Sequence, residues 1–109
     1  MSEFVNVAEE KNLPDGKMLL VKVAGHDILL ARAGSKYYAI DNRCPHAGGN
    51  LSAGTLEGTV VTCPRHGSQW ELTDGHCVRW TRNPAATPKV AKTVTYSVRV
   101  EQGKVMVGV

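Results

Sequence analysis

The chain has 109 residues, 42% of them hydrophobic and 21% charged, with a formal charge of +3. This is the length of one domain with a modest core, and it excludes a disordered or low-complexity protein. The slight basic excess is scattered among acidic neighbours, so no nucleic acid is expected as a partner, and no apolar run approaches the roughly 18–20 residues of a membrane span.

In chain order, the first expected element is a short helical turn within Val7–Leu13, ended by Pro14-Asp15-Gly16. Lys17–Val23 and Asp27–Ala33 are β-rich runs that form a hairpin over Ala24-Gly25-His26. Lys36–Asp41 follows the turn Gly34-Ser35, and its Tyr37, Tyr38 and Ile40 favour a strand. Thr59–Cys63 follows Glu57-Gly58. Gln69–Leu72 runs into Thr73-Asp74-Gly75, from which His76–Trp80 returns. Residues 81–92 lack alternation, contain Pro84 and Pro88, and read as a loop. In Thr93–Val100 every second residue is apolar, which places Val94, Tyr96, Val98 and Val100 on one sheet face. Glu101-Gln102-Gly103 then leads to a last strand, Lys104–Val107.

Many short strands, turns rich in Gly and Pro, and no sustained helical stripe predict an all-β, antiparallel sandwich or barrel. No repeat or linker divides the chain, so residues 1–109 are expected to form a single domain. The opening Met1-Ser2-Glu3-Phe4-Val5 has no basic segment leading into an apolar one, so no secretory signal is expected and the compartment is read as cytoplasmic. Three cysteines cannot all pair internally. In a reducing compartment, cysteines beside histidines point to metal.

Two segments carry that chemistry. Cys44-Pro45-His46 and Cys63-Pro64-Arg65-His66 each pair a thiol with an imidazole, and 16 residues separate His46 from Cys63. Each lies where strand patterning stops, so both are expected on loops that converge. Gly48, Gly49 and Gly67 remove side-chain bulk beside the ligands, and their amides are expected to donate to an electron-rich sulfur. Pro45 and Pro64 stiffen the backbone next to each thiol. Buried core cysteines and hydrogen-bonded histidines are the plain alternative for one such pair; two matched pairs, each followed by glycine, favour a metal. Two thiols and two imidazoles also satisfy tetrahedral zinc. Zinc modules usually segregate their cysteines from their histidines, whereas mixed pairs let each loop serve both metals of a two-iron cluster.

The pattern C-x-H, then C-x-x-H-G-S, resembles the Rieske iron–sulfur family, and the similarity extends over nearly the whole chain. The resemblance implies a β-sandwich with a small cluster-binding subdomain, its loops within about residues 42–88, and one [2Fe–2S] cluster. It implies that Cys44 and Cys63 hold one iron while His46 and His66 hold the other, nearer the surface. Replacing two thiolates by neutral imidazoles raises the potential, to about −150 to +300 mV against about −400 mV for plant-type clusters. Some relatives link the two loops by a disulfide at the positions held here by Gly49 and Arg65, so that bridge is not expected. Ser68 matches a family serine that hydrogen-bonds a cluster sulfur. A family tyrosine is replaced by Trp70, which places the potential in the lower half of the range.

The pattern is most similar to soluble Rieske ferredoxins. It implies a monomeric electron carrier rather than an enzyme, fed by a flavin- or nicotinamide-dependent reductase and serving a terminal oxygenase. A small subunit of an enzyme complex, such as assimilatory nitrite reductase, is the alternative implied by the same resemblance. Docking contacts are expected at Ala47, Gly48, Arg65 and Gly67, and the loop with Pro84 and Pro88 is expected to cover the cluster. Cys77 is read as a buried thiol, His26 and His76 as exposed, Trp70 as core, and Trp80 as either core or docking surface.

Overall fold

The computed structural model describes residues 4–45, 48–65, 67–83, 88 and 90–108. Its strands are β1 (Phe4–Glu9), β2 (Met18–Val23), β3 (His26–Ala33), β4 (Lys36–Asp41), β5 (Thr55–Glu57), β6 (Val60–Thr62), β7 (Gln69–Glu71), β8 (Cys77–Arg79), β9 (Thr95–Glu101) and β10 (Lys104–Gly108). Six form a sheet in the order β1-β10-β9-β4-β3-β2, and four form a second in the order β5-β6-β7-β8; every pairing is antiparallel. The small sheet is thus an insertion between β4 and β9, which pair directly with each other. No helix among the described residues is long and apolar enough to cross a membrane.

Strand β3 explains how one chain supports two cores. Ile28, Leu29, Leu30 and Ala31 are all fully buried. Because successive side chains point to opposite faces, Ile28 and Leu30 join Val21, Val23, Ala39, Val105 and Val107 between the layers of the large sheet. Leu29 and Ala31 turn the other way and pack with Ile40, Val61, Trp70 and Leu72 beneath the small sheet. A run of four apolar residues is what a strand covered on both faces requires. The core below the small sheet also contains Cys44 and Cys63, so the larger sheet is the platform on which the motif segments rest.

Tight turns set the register. Ala24 and Gly25 both have positive φ, at 50° and 81°, and close the β2–β3 hairpin with Val23 opposite His26. The turn is therefore two residues long, and His26 opens β3 instead of lying in the turn. Gln102 and Gly103 do the same between β9 and β10.

The short helical turn expected within Val7–Leu13 is present, but only over its second half. Residues 4–9 form a strand, and the only helical turn there is a 3-10 turn at Glu10–Asn12. β1 pairs with β10 at the far end of the sequence, with Phe4 opposite Gly108, and no local pattern announces such a partner. Val94 is also corrected: it precedes β9 and is 53% exposed, whereas Tyr96, Val98 and Val100 pack on the core. β6 is two residues shorter than its run, one at each end, and β7 one residue shorter, ending before the turn at Thr73-Asp74-Gly75.

Candidate metal centre

Both motif segments fold into the same loop. In the first, the Cys44 amide donates to the Gly49 carbonyl at 2.8 Å and the Gly48 amide to the Cys44 carbonyl at 2.8 Å. In the second, the Cys63 amide donates to the Ser68 carbonyl at 2.8 Å and the Gly67 amide to the Cys63 carbonyl at 3.2 Å. The fourth residue after each cysteine, Gly48 or Gly67, has φ of 71° or 75°, a left-handed conformation that suits glycine. The Gly48 and Gly67 amides therefore close the loops through cysteine carbonyls.

A side-chain clasp holds the base of the first loop. Asn42 is buried and donates through Nδ2 to Asn50 Oδ1 at 2.5 Å, while its own Oδ1 accepts from the Ser52 amide at 2.9 Å. Ser52 Oγ donates to Asn50 Oδ1 at 2.7 Å. Asn42 lies two residues before the motif and Asn50 directly follows its glycines, yet nothing in either position identifies a clasp until the chain doubles back.

Cys44 and Cys63 are buried, each 1% exposed, and neither forms a disulfide. Ser68 is fully buried. Its hydroxyl lies 3.0 Å from Cys44 Sγ and accepts from Trp70 Nε1 at 3.3 Å; toward a metal-bound Cys44 thiolate, which has no proton to give, Ser68 would be the donor. Trp70 lacks the hydroxyl of the tyrosine it replaces, but its ring nitrogen acts on the same sulfur through Ser68. Trp80 packs edge-on against Trp70 at 6.2 Å and is 8% exposed, so it belongs to the core rather than to a docking surface.

The glycines are needed for space as well as conformation. A Cβ on Gly49 would stand 2.8 Å from Cys63 Sγ and 3.0 Å from Arg65 Cδ. Positions 49 and 65 thus face each other across the two loops, where the resemblance places a disulfide in some relatives. Here the aliphatic stem of Arg65 fills the gap. Gly67 is buried beneath Arg82 and Arg79, whose Nε and Nη2 donate to its carbonyl at 3.0 and 2.8 Å. Gly67 is therefore buried, whereas Gly48 and Arg65 are exposed. Arg79 and Arg82 lie 12 and 15 residues beyond Gly67, and no spacing in the sequence marks them.

His46, Ala47, His66 and Pro84 lie outside the described residues, and Pro88 is exposed. Among the other singled-out residues, His26 and His76 are exposed, the latter 2.6 Å from Asp74 through Nδ1. Cys77 is half-buried, not buried, because β8 is the edge of the small sheet. Burial pushes its thiol pKa up, which keeps it protonated and unreactive near neutral pH.

Two buried sulfurs at matched loop starts, a serine hydroxyl against one and space cleared beside the other, define a protein that holds a sulfur-ligated metal group between paired loops. The donor chemistry fits an iron–sulfur cluster. A model of the Rieske [2Fe-2S] domain matches residues 3–102, and the chain belongs to that family. It is 31% identical over 103 residues to the ferredoxin component of the naphthalene 1,2-dioxygenase/salicylate 5-hydroxylase systems of a Ralstonia species, covering 94% of this chain and 92% of the relative. The ferredoxin of carbazole 1,9a-dioxygenase from Nocardioides aromaticivorans IC177 superimposes with a TM-score of 0.85 at 27% identity, covering 97% of each chain. A chain solved in the complex of reduced oxygenase and oxidized ferredoxin in carbazole 1,9a-dioxygenase gives a TM-score of 0.82 at 28% identity, covering 95% of this chain and 91% of that one. One Rieske-type [2Fe–2S] cluster is accordingly this chain's cofactor.

Proposed function

We propose that this chain is a one-electron carrier in which Cys44 and Cys63 bind one iron as thiolates and His46 and His66 bind the other through imidazole nitrogen. When bound, the cluster supplies a reversible one-electron couple. The chain's own residues do the rest. The Asn42 clasp and the loop amide bonds hold the two cysteines in fixed relation, which limits reorganisation when charge changes. Ser68 and Trp70 stabilise added negative charge on Cys44 sulfur, and the Trp70–Trp80 core excludes water from beneath the loops.

The observation that carries the reading is the pair of hydrogen-bonded loops, alike bond for bond, each opening on a buried cysteine of the motif. Relatives matched end to end are ferredoxin components of oxygenase systems, which favours a carrier over a complex subunit and over a zinc module. The electron donor is a flavin- or nicotinamide-dependent reductase and the acceptor a terminal oxygenase; the carrier works as a monomer in the cytoplasm. The test is an EPR spectrum of the dithionite-reduced protein with iron and acid-labile sulfide analysis. Equal iron and sulfide, with a spectrum of mixed thiolate and imidazole ligation, is the expected result. A colourless zinc protein or a four-thiolate spectrum overturns the ligand set.

A further inference from the structure

Arginines surround the ligand loops. The guanidinium of Arg43 lies over Gly48, where a Cβ would be 3.2 Å from its Nε. The stem of Arg65 lies against Gly49, and Arg82 crosses Gly67. Arg79 holds the Gly67 carbonyl through two bonds, and Arg82 Nη1 reaches the Arg65 carbonyl at 3.5 Å. Arg43, Arg65 and Arg82 are exposed. Asp27 lines a shallow depression with Arg43, Gly48 and Gly49.

Four of the chain's 13 Lys and Arg thus stand on or beside the ligand loops, and three of the four are exposed. We infer that this arginine frame is the docking surface for an acidic face on the redox partner, centred on the point of electron exit. Glycines beneath the arginines let their stems lie flat, so the charges ring the loops without standing between cluster and partner. Opposite charges of this kind speed encounter by about 10- to 1000-fold and lose that effect in salt.

The inference rests on the carrier reading, and one experiment separates the two. The reduced holoprotein is mixed in stopped flow with hexacyanoferrate(III), a trianion, and separately with a trivalent cationic cobalt tris(phenanthroline) complex. Salt is varied from about 10 mM to about 1 M, which shrinks the screening length from about 30 to about 3 Å. The sign of the salt dependence does not depend on driving force. The anion should slow by about tenfold or more as salt rises, and the cation should speed up. Arg43→Gln with Arg82→Gln should flatten both dependences, whereas Lys36→Gln with Lys104→Gln, removing equal charge outside the small sheet, should leave them in place. If the arginine pair fails to load, Arg43→Gln alone replaces it, since none of the loop hydrogen bonds above uses that side chain. A flat wild-type profile, or equal flattening by the lysine pair, overturns the docking surface while the carrier stands. Protein without iron and sulfide removes the carrier reading, and this surface with it.

Discussion

Ser68 sits between an indole N–H and a thiol sulfur, with no exposure to water. A hydroxyl proton directed at sulfur stabilises the reduced form more than the oxidised one, since reduction adds negative charge. Ser68→Ala should therefore lower the reduction potential while leaving the cluster bound, as read by potentiometric EPR. Trp70→Phe should lower it by less, and adding Trp70→Phe to Ser68→Ala should have little further effect, because the indole acts through the hydroxyl. Asn42 makes a separate prediction. Asn42→Ala leaves the half-buried Ser52 amide without its partner and removes one of two donors to Asn50 Oδ1, at a cost of about 1–3 kcal/mol in urea unfolding. At this scale the sequence was legible where the chemistry is local: Cys44, Cys63 and Ser68 stand at readable spacings. It was silent on Asn42 and on Arg79 and Arg82, whose roles depend on residues brought near by folding.

Among the elements, the small sheet depends on one close approach. A Cβ on Gly54 would run into the Thr62 carbonyl oxygen, since β5 and β6 start and end there in register, with Thr55 opposite Thr62. Gly54→Ala should force β5 off β6 and destabilise the protein by about 1–3 kcal/mol, the usual range for overpacking. Because Thr62 precedes Cys63, the same variant should also lower cluster content per chain, measured as iron and sulfide. Strands β2, β3, β4, β9 and β10 were legible through alternation and turn residues, which act within a few positions. β1 has no such signal: its pattern is ambiguous and its partner lies about a hundred residues away, in β10. β5 is three residues long, too short for a period to register.

For the molecule as a whole, the β4–β9 seam rejoins the large sheet across the inserted site. Only Ala39 with Tyr96 and Ile40 with Thr95 pair there, supported by the Asp41 amide on the Val94 carbonyl at 3.0 Å. The Tyr96 hydroxyl adds a bond by donating to Asp41 Oδ1 at 2.6 Å. Burial, with the Asp41 carboxylate beside it, pushes the Tyr96 pKa up to about 12. The unfolded value is about 10, so the native state favours the protonated phenol. That stabilisation is complete below about pH 10 and is lost as pH rises through about 12. Urea unfolding from pH 8 to 12 should show wild type losing stability relative to Tyr96→Phe over this window; parallel profiles would contradict the seam.

By itself the sequence determined the antiparallel class, most strand positions, and the residues able to ligate the cluster, because alternation, turn chemistry and ligand spacing are written in neighbouring positions. Only the tertiary structure decided that the two loops share one hydrogen-bond plan, that Trp70 reaches Cys44 through Ser68, and that four arginines gather around the ligand loops. The Ser68 bridge to Cys44 and the packing of Arg65, Arg79 and Arg82 join residues 12 to 24 positions apart, which only folding brings together.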